Sequence, residues 1–563
     1  MTSQQSPSTP VHNWQARVAE KRSNCRKSIP EAWILPQSLL DTLPNLSELP
    51  STRTNLISLD IPRRSGILTE TELEITESYS VSGLLEALAI GKLTATEVTS
   101  AFSKRAAMAQ QLTNCLTETL FEEAQQRAKY LDDLRAKGKL AGPLHGLPIS
   151  LKDSYQVKGT QATIGAVSNL DRTSVKNSPL VDMLLDLGAV LYVKTNVSQV
   201  LMAVESDNNI FGRVLNPWNT SLTAGGSSGG EGALIAFRGS LLGVGTDLAG
   251  SIRIPSLCCG TYGFKPSSGR IAFGGQVMPL RDGILPIVPS AGPLASDLEA
   301  IRTFMKAIID AKPSSYDATV IDTPWRGLEH LPRRGLRLGL LPEDPLFPLH
   351  PPVRETLEKV VNILRSQGHE VVLLDAAECH IAEANQVAGG LLSLDNTPAE
   401  IVAASGEPAL PALGMFARQM KSIEWDYVPD LGAMDQLQRL GTLQSQRARI
   451  AEDWRALWAR HNLDAVISPS AQNTAVQHDQ YRWPAYSAFL NLLDYPACIV
   501  PFQTATKSEL PFMLKPGQGT PPYDPEAIEG APCSIQIFTS RMRDEECLNV
   551  ADFIARCLKV SED

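Results

Sequence analysis

Two apolar periods alternate along this chain, and their order predicts a layered α/β fold. Apolar residues recur every three to four positions over 14–27, 81–111 and 120–136, the spacing of a helix with one buried and one charged face. Inside the second stretch, Thr94-Ala-Thr-Glu97 has the form of a capping box, which places a helix start at Thr94. From Gly142 to Ser268 that period gives way to short β-rich runs separated by glycines, at 147–151, 189–194 and 241–245. After Pro279 the alternation resumes. Strands are predicted at 336–341, 370–374, 465–468, 497–501 and 534–538, and helices at 353–367, 435–461 and 543–558. Strands alternating with helices imply a substantially parallel sheet. Residues 1 to about 11 read as disordered. Residues 30–62, rich in Pro, Ser, Thr and Leu without a period, read as an extended arm over the surface. No internal repeat and no linker between autonomous domains stands out.

Composition narrows the partners. The chain has 563 residues, 43% hydrophobic and 20% charged, a balance that suits a globular protein with a large core and excludes a coiled coil. A formal net charge of −10 and a pI near 5.5 give no global field to attract nucleic acid or an anionic membrane, so neither is expected as a partner. The densest basic stretch, Arg17, Lys21, Arg22, Arg26 and Lys27, reads as a solvated helix face. Nine cysteines, none spaced as CxxC and two adjacent at Cys258-Cys259, suggest free thiols in a reducing compartment, and the expected location is cytoplasmic. Residues 1–10 are polar and lack the apolar core of a signal peptide, and no run of about 18 apolar residues predicts a membrane span.

Three segments carry candidate chemistry. Gly225-Gly-Ser-Ser-Gly-Gly-Glu-Gly232 is too glycine-rich for an element interior. A phosphate cradle would need a closing Gly-Lys-Ser/Thr, which is missing. A flexible linker or a catalytic loop presenting serine hydroxyls both stay open, although the flanks Asn216-Pro-Trp and Ala233-Leu-Ile-Ala look structured. In Gly245-Thr-Asp-Leu-Ala-Gly-Ser-Ile-Arg-Ile-Pro255, Ser251 follows a strand-like run and a turn whose N–H groups could converge on an oxyanion. Asp247 and Arg253 there read as a structural ion pair that pins the turn. In Leu144-His-Gly-Leu-Pro-Ile-Ser-Leu-Lys-Asp153, Lys152 ends an apolar run, where it is either a solvated strand end or a desolvated base of lowered pKa. A serine nucleophile needs a base. His145 is the one histidine in these segments, and no Gly-x-Ser-x-Gly elbow is present, which leaves lysine as the available alternative.

Together the three segments resemble the amidase signature family, in order and in spacing. Ser65-Gly-Ile-Leu-Thr-Glu, the stretch Arg105 to Cys115, Ala404-Ser-Gly-Glu-Pro-Ala409, His478-Asp-Gln and Tyr523-Asp-Pro-Glu-Ala are similar to its fungal acetamidase branch. The resemblance implies one large α/β domain over 63–559, with a mixed, largely parallel central sheet covered by helices on both faces. Its signature core spans about 142–270, preceded by an N-terminal helix and arm at 1–62 and followed by a tail at 560–563. It implies hydrolysis of a small-molecule carboxamide to a carboxylate and ammonia or an amine, without metal or organic cofactor. In the implied mechanism Ser251 attacks, Ser227, following a cis peptide bond, relays the proton, and neutral Lys152 accepts it. The N–H groups of Leu248, Ala249, Gly250 and Ser251 would hold the oxyanion. Relatives usually carry two glycines before the nucleophile; here they are Ala249-Gly250, which would put a methyl group near the oxyanion hole or acyl pocket, harmless at negative φ and costly at positive φ. Met202 is the foremost candidate wall residue, with Tyr155, Ile210, Phe211, Trp483, Tyr486 and the rest of 481–495 behind it. Acetamide is one candidate substrate and a larger specialised-metabolite amide another. A catalytically weak binding protein is the competing class, and a homodimer is left open.

Overall fold

The computed structural model describes residues 14–560 apart from 46–47, 282, 328–334 and 509; the expected disorder at 1–11 and the tail beyond 560 lie outside them. One sheet of eleven strands runs through the chain. In chain order they are β1 (Leu116–Thr119), β2 (Pro148–Lys152), β3 (Val190–Thr195), β4 (Leu242–Asp247), β5 (Tyr262–Lys265), β6 (Ser290–Ala295), β7 (Arg337–Leu340), β8 (Glu370–Leu373), β9 (Ala465–Pro469), β10 (Ala497–Thr504) and β11 (Pro532–Phe538). Across the sheet the order is β1-β3-β2-β4-β6-β5-β10-β11-β9-β7-β8.

The strands and helices read from the apolar periods are present, with ends displaced by up to three residues. The stretch 81–111 is two helices, Val81–Ile90 and Ala95–Thr113, separated by Gly91 in the left-handed region. Thr94 and Glu97 form the capping box reciprocally. The parallel share of the sheet is smaller than the strand–helix alternation implied. Parallel pairing joins β2 to β3 and β4, and β7 to β8 and β9, so it is confined to the two flanks. The centre, from β4 through β6, β5, β10 and β11 to β9, is antiparallel. Two of those central strands, β5 and β6, are short and interrupted by Gly263, Gly292 and Pro293, which hides them from a period count.

Strands β2, β3, β4, β6, β9 and β11 are buried along their whole length, as expected for a sheet covered on both faces. The helices Gly229–Ala236 and Arg253–Cys259 pack against each other and the sheet; Leu298–Asp310, Pro351–Ser366 and Asp544–Val560 form a second group. The segment expected as an extended arm is instead a series of helical turns, at Glu31–Trp33, Gln37–Leu40, Leu49–Ser51 and Ile61–Arg64. Leu39 and Ile61 from these turns, and Leu35 and Leu56 from the links between them, enter the main core. Single turns with Pro at the preceding or second position are too short to register as a helical period. Among the described residues no helix is long and apolar enough to cross a membrane.

Candidate active site

The parallel flank of the sheet positions the site. Lys152 is the last residue of β2 and pairs with Thr195 of β3, while Ser150 two positions earlier faces Gly243 of β4. The Lys152 side chain is fully buried. Its Nζ lies 2.8 Å from Ser227 Oγ, 2.8 Å from Thr246 Oγ1 and 3.4 Å from the Thr246 carbonyl. Burial pushes the ammonium down to about 7, against the opposing pull of Asp247 and Glu231. Lys152 is thus a desolvated amine and not a solvated strand end.

Ser227 follows a cis Gly226–Ser227 peptide and precedes the helix Gly229–Ala236. The loop is buried throughout, so the flexible-linker reading of 225–232 does not hold. Glu231, on the first turn of that helix, reaches back under the lysine. It accepts hydrogen bonds from Ser150 Oγ at 2.5 Å and Thr195 Oγ1 at 2.9 Å, and burial raises its carboxyl to about 7. Gly243 makes the room: a Cβ there would fall 2.0 Å from Glu231 Oε2.

Ser251 sits in the turn between β4 and the helix Arg253–Cys259. Asp247 builds that turn. Its Oδ1 accepts from Gly250 N at 2.7 Å and Arg253 Nη2 at 3.0 Å, and its Oδ2 accepts from Ile252 N at 3.1 Å and Arg253 Nε at 3.0 Å. Burial opposes its charge, but the Arg253 guanidinium holds the carboxyl well below the usual carboxylate range. The pair is wholly buried and structural, as read from the sequence. Gly250 has φ +119°, and a Cβ on it would press on Ile254 and Ser487 at 3.0 Å. Ala249, by contrast, is not among the residues at positive φ, so its methyl group imposes no backbone strain and turns to the cavity wall.

Two features bear on the expected chemistry. The Gly250 N–H donates to Asp247 Oδ1, whereas those of Leu248, Ala249 and Ser251 have no partner among the described residues. Lys152 and Ser227 are joined, but Ser251 Oγ makes no hydrogen bond, to Ser227 or to any other described residue. It lines a cavity of about 910 Å³ instead.

Leu248, Ala249, Met202 and Leu201 form the near wall of that cavity. Val200 and Leu201, just before Met202, hold φ of 47° and 57°. Left-handed non-glycine residues cost on the order of 1–3 kcal/mol each, more readily tolerated at sites that use the geometry. The far wall, with Leu392, Phe416, Met420, Trp425 and Leu443, comes from segments that carry no motif and read in sequence as ordinary core. Of the other candidate wall residues only Trp483 lines the cavity. Ile210 and Phe211 pack in a separate cluster with Val18 beneath the N-terminal helix, because the loop carrying them turns outward. Tyr155 points its hydroxyl to the Gly245 carbonyl, and Tyr486 donates to the Phe347 carbonyl, so both are core. Tyr495 stacks on Phe538. Sequence reasoning missed Thr246 and Glu231 as neighbours of the lysine, although both lie inside the motifs it singled out. Among the described residues no group of three or more His, Cys, Asp or Glu side chains is arranged to hold a metal ion.

The family model described as Amidase matches residues 97–548. An amidase of Gibberella moniliformis is 36% identical over 552 residues, covering 97% of this chain and 99% of that protein. An acetamidase of Emericella nidulans is 36% identical over 570 residues, covering 97% and 98%. The solved structure of a fatty acid amide hydrolase superposes with a TM-score of 0.87 at 29% identity, covering 97% of this chain and 95% of that one. With a family model spanning most of its length and near full-length relatives above 30% identity, this chain belongs to the Amidase family and is an amide hydrolase.

Proposed function

We propose that the protein hydrolyses a small-molecule carboxamide through an acyl-enzyme on Ser251, with Ser227 as relay and Lys152 as base. The observation that carries this reading is the 2.8 Å contact of a buried, pKa-lowered Lys152 with Ser227, one loop away from a serine that faces the cavity. Neutral Lys152 takes the proton of Ser227, which takes that of Ser251 as Ser251 Oγ bonds to the amide carbon. The N–H groups of Leu248, Ala249 and Ser251 receive the oxyanion. As the C–N bond breaks, the proton returns through Ser227 to the leaving nitrogen, and water then cleaves the ester. The open Ser227–Ser251 link closes when substrate binds, since catalytic hydrogen bonds often tighten only in the complex. Nine free thiols support a reducing, cytoplasmic setting.

A protonated lysine has no lone pair, so activity is full above the Lys152 pKa and is lost as pH falls through about 7. Glu231 favours the protonated lysine. The Glu231→Gln variant is therefore expected to move the acid limb to lower pH and to raise the ratio of kcat/KM at pH 6 to that at pH 8 about twofold or more. An unshifted limb would remove Glu231 from the account of the base.

The cavity favours a large apolar acyl group over acetamide. At roughly 30 Å³ per water molecule, about 910 Å³ holds the volume of some thirty waters, and acetamide would leave most of it wet. The cavity is lined by Ser251 but by neither Ser227 nor Lys152. A leaving nitrogen turned toward the relay sends the acyl substituent the other way, into the apolar space. The relatives' names span both sizes, acetamidase and fatty acid amide hydrolase. An ammonia-release assay over straight-chain amides from acetamide to octanamide is expected to show kcat/KM rising about fourfold per methylene, from roughly 0.8 kcal/mol per buried CH₂. A flat or falling series would return the reading to acetamide.

A further inference from the structure

The segment Ala404-Ser-Gly-Glu-Pro-Ala409 is not absorbed by the reaction above, yet one of its side chains is tied to the cavity wall. Glu407 is 5% exposed and lies in the loop between the helices Thr397–Ala403 and Pro411–Ser422. Its carboxylate pairs with no cation among the described residues. Neutral donors satisfy it. Oε1 accepts from Val167 N at 2.7 Å and Ser405 Oγ at 3.3 Å, and Oε2 accepts from Gln199 Nε2 at 3.0 Å and Asn209 Nδ2 at 2.9 Å. One carboxylate thereby bridges the stretches around 167, 199 and 209, alongside the bond from Gln199 N to the Asp207 carbonyl at 2.9 Å.

The tie at Gln199 is complete. Its Nε2 also donates to the Pro408 carbonyl at 3.1 Å, and its Oε1 accepts from Leu410 N at 2.9 Å. Directly after Gln199 come Val200 and Leu201, the two consecutive left-handed residues that lead into Met202. Val200 is β-branched, which makes the left-handed region especially unfavourable for it. It packs against Val402, Ile164 and Ala166, with Leu201, Met202 and Leu413 alongside. Leu201, Met202 and Leu413 all face the cavity. The 407–410 segment therefore fixes the near wall through Gln199 and at the same time starts the helix that supplies Leu413, Phe416 and Met420 to the far wall.

We propose that Glu407 is a positioning residue that sets which amide the cavity accepts, by clasping Gln199 and so holding the strained Val200–Leu201 turn in the wall. It touches neither the reacting atoms nor the Lys152–Ser227 pair. The proposal rests on Ser251 being the nucleophile that opens on this cavity.

The test uses two serine-directed probes on the full chain, methanesulfonyl fluoride and octanesulfonyl fluoride. Each forms an Oγ–S bond on Ser251 with release of fluoride, so neither needs turnover. Glu407→Gln keeps the size of the side chain but has one acceptor oxygen, and its amide turns a donor toward donors. The rate ratio of octyl to methyl labelling is expected to fall about fivefold or more relative to the wild type, with methyl labelling within twofold. Adding Val200→Gly to Glu407→Gln is expected to restore most of the ratio, because glycine adopts the left-handed turn without the clasp. Should Glu407→Gln not accumulate, Asn209→Ala, which removes the bond to Glu407 Oε2 and one to the Pro408 carbonyl, is expected to shift the ratio in the same direction. An unchanged ratio, a parallel loss of both rates, or no recovery with Val200→Gly would each overturn the clasp. Absence of wild-type labelling at Ser251 by either probe would instead overturn the serine reading beneath it, and the clasp with it.

Discussion

Replacing Ser251 with alanine is expected to lower kcat for amide hydrolysis by about 10⁴-fold or more while leaving the fold intact. The size follows from the behaviour of nucleophile knockouts, in which the remaining groups still bind and polarise substrate but no acyl-enzyme forms. The intact fold follows from the geometry. Ser251 Oγ makes no hydrogen bond among the described residues and borders open cavity, so its loss orphans no partner there and creates no sealed void. The turn is held by Asp247, Arg253 and the φ of Gly250, none of which the variant alters. Thermal unfolding should shift by no more than a surface substitution would, about 0.5 kcal/mol. An active Ser251→Ala enzyme would leave amide cleavage to some other group.

The second large effect is expected at Lys152. Lys152→Met keeps an unbranched chain of similar length in a fully buried site and removes the lone pair that, in the proposed mechanism, accepts the Ser227 proton. Loss of a general base costs about 10²–10⁴ in rate, and here it also breaks the return path of the proton to the leaving nitrogen, so the upper end, about 10⁴, is expected. Thr246 Oγ1 and Ser227 Oγ lose a partner at 2.8 Å, which should cost about 1–3 kcal/mol of stability without unfolding a core of this size. The residual activity should no longer fall as pH drops through about 7, because the group that titrates there is gone. A retained acid limb in Lys152→Met would assign it to Glu231 or to another group, and a rate within tenfold of wild type would show that Lys152 is not the base.

Much of this architecture is legible in the amino-acid order, and the reasons for the gaps are physical. The long helices and the two parallel flanks show themselves because each element buries one face over many residues. Strands β5 and β6 do not, since glycine and proline interrupt them and their partners are distant in sequence. The arm at 30–62 is built from single helical turns around prolines, and a turn is shorter than one period. At the site, Lys152, Ser227 and Ser251 stand out jointly through their glycine-rich settings, although each alone has an ordinary structural reading. Met202 and Trp483 prove to be cavity walls, whereas Ile210, Phe211, Tyr155 and Tyr486 are core. Apolar residue type cannot separate these outcomes, because a cavity wall and a core present the same side chains. The far wall and Glu407 were hidden for a related reason. Their roles depend on contacts across some 200 residues, as in the bonds from Glu407 to Gln199 and Asn209. The spent N–H of Gly250 likewise depends on the orientation of the Asp247 carboxylate, which the motif does not encode.

These features divide the work among separate parts of the sheet. The β2–β3–β4 flank buries Lys152 beside Ser227, the proposed base and relay, and the Asp247–Arg253 pair holds the turn of Ser251, the proposed nucleophile, where the cavity begins. The helices between Ile381 and Ser422 line the far side of that cavity, away from Lys152 and Ser227, so under the proposed mechanism selectivity can change without disturbing the proton path.

The most direct measurement is rapid quenching of the enzyme with excess octanamide in acid, followed by intact-mass and peptide mass spectrometry. The expected result is a transient mass increase of one octanoyl group, mapped to the peptide that carries Ser251 and absent from Ser251→Ala. Turnover of octanamide with the acyl group on any other residue, or with neither a covalent adduct in the quenched sample nor octanohydroxamate formed when hydroxylamine is present during turnover, would contradict the assignment of Ser251 as the nucleophile.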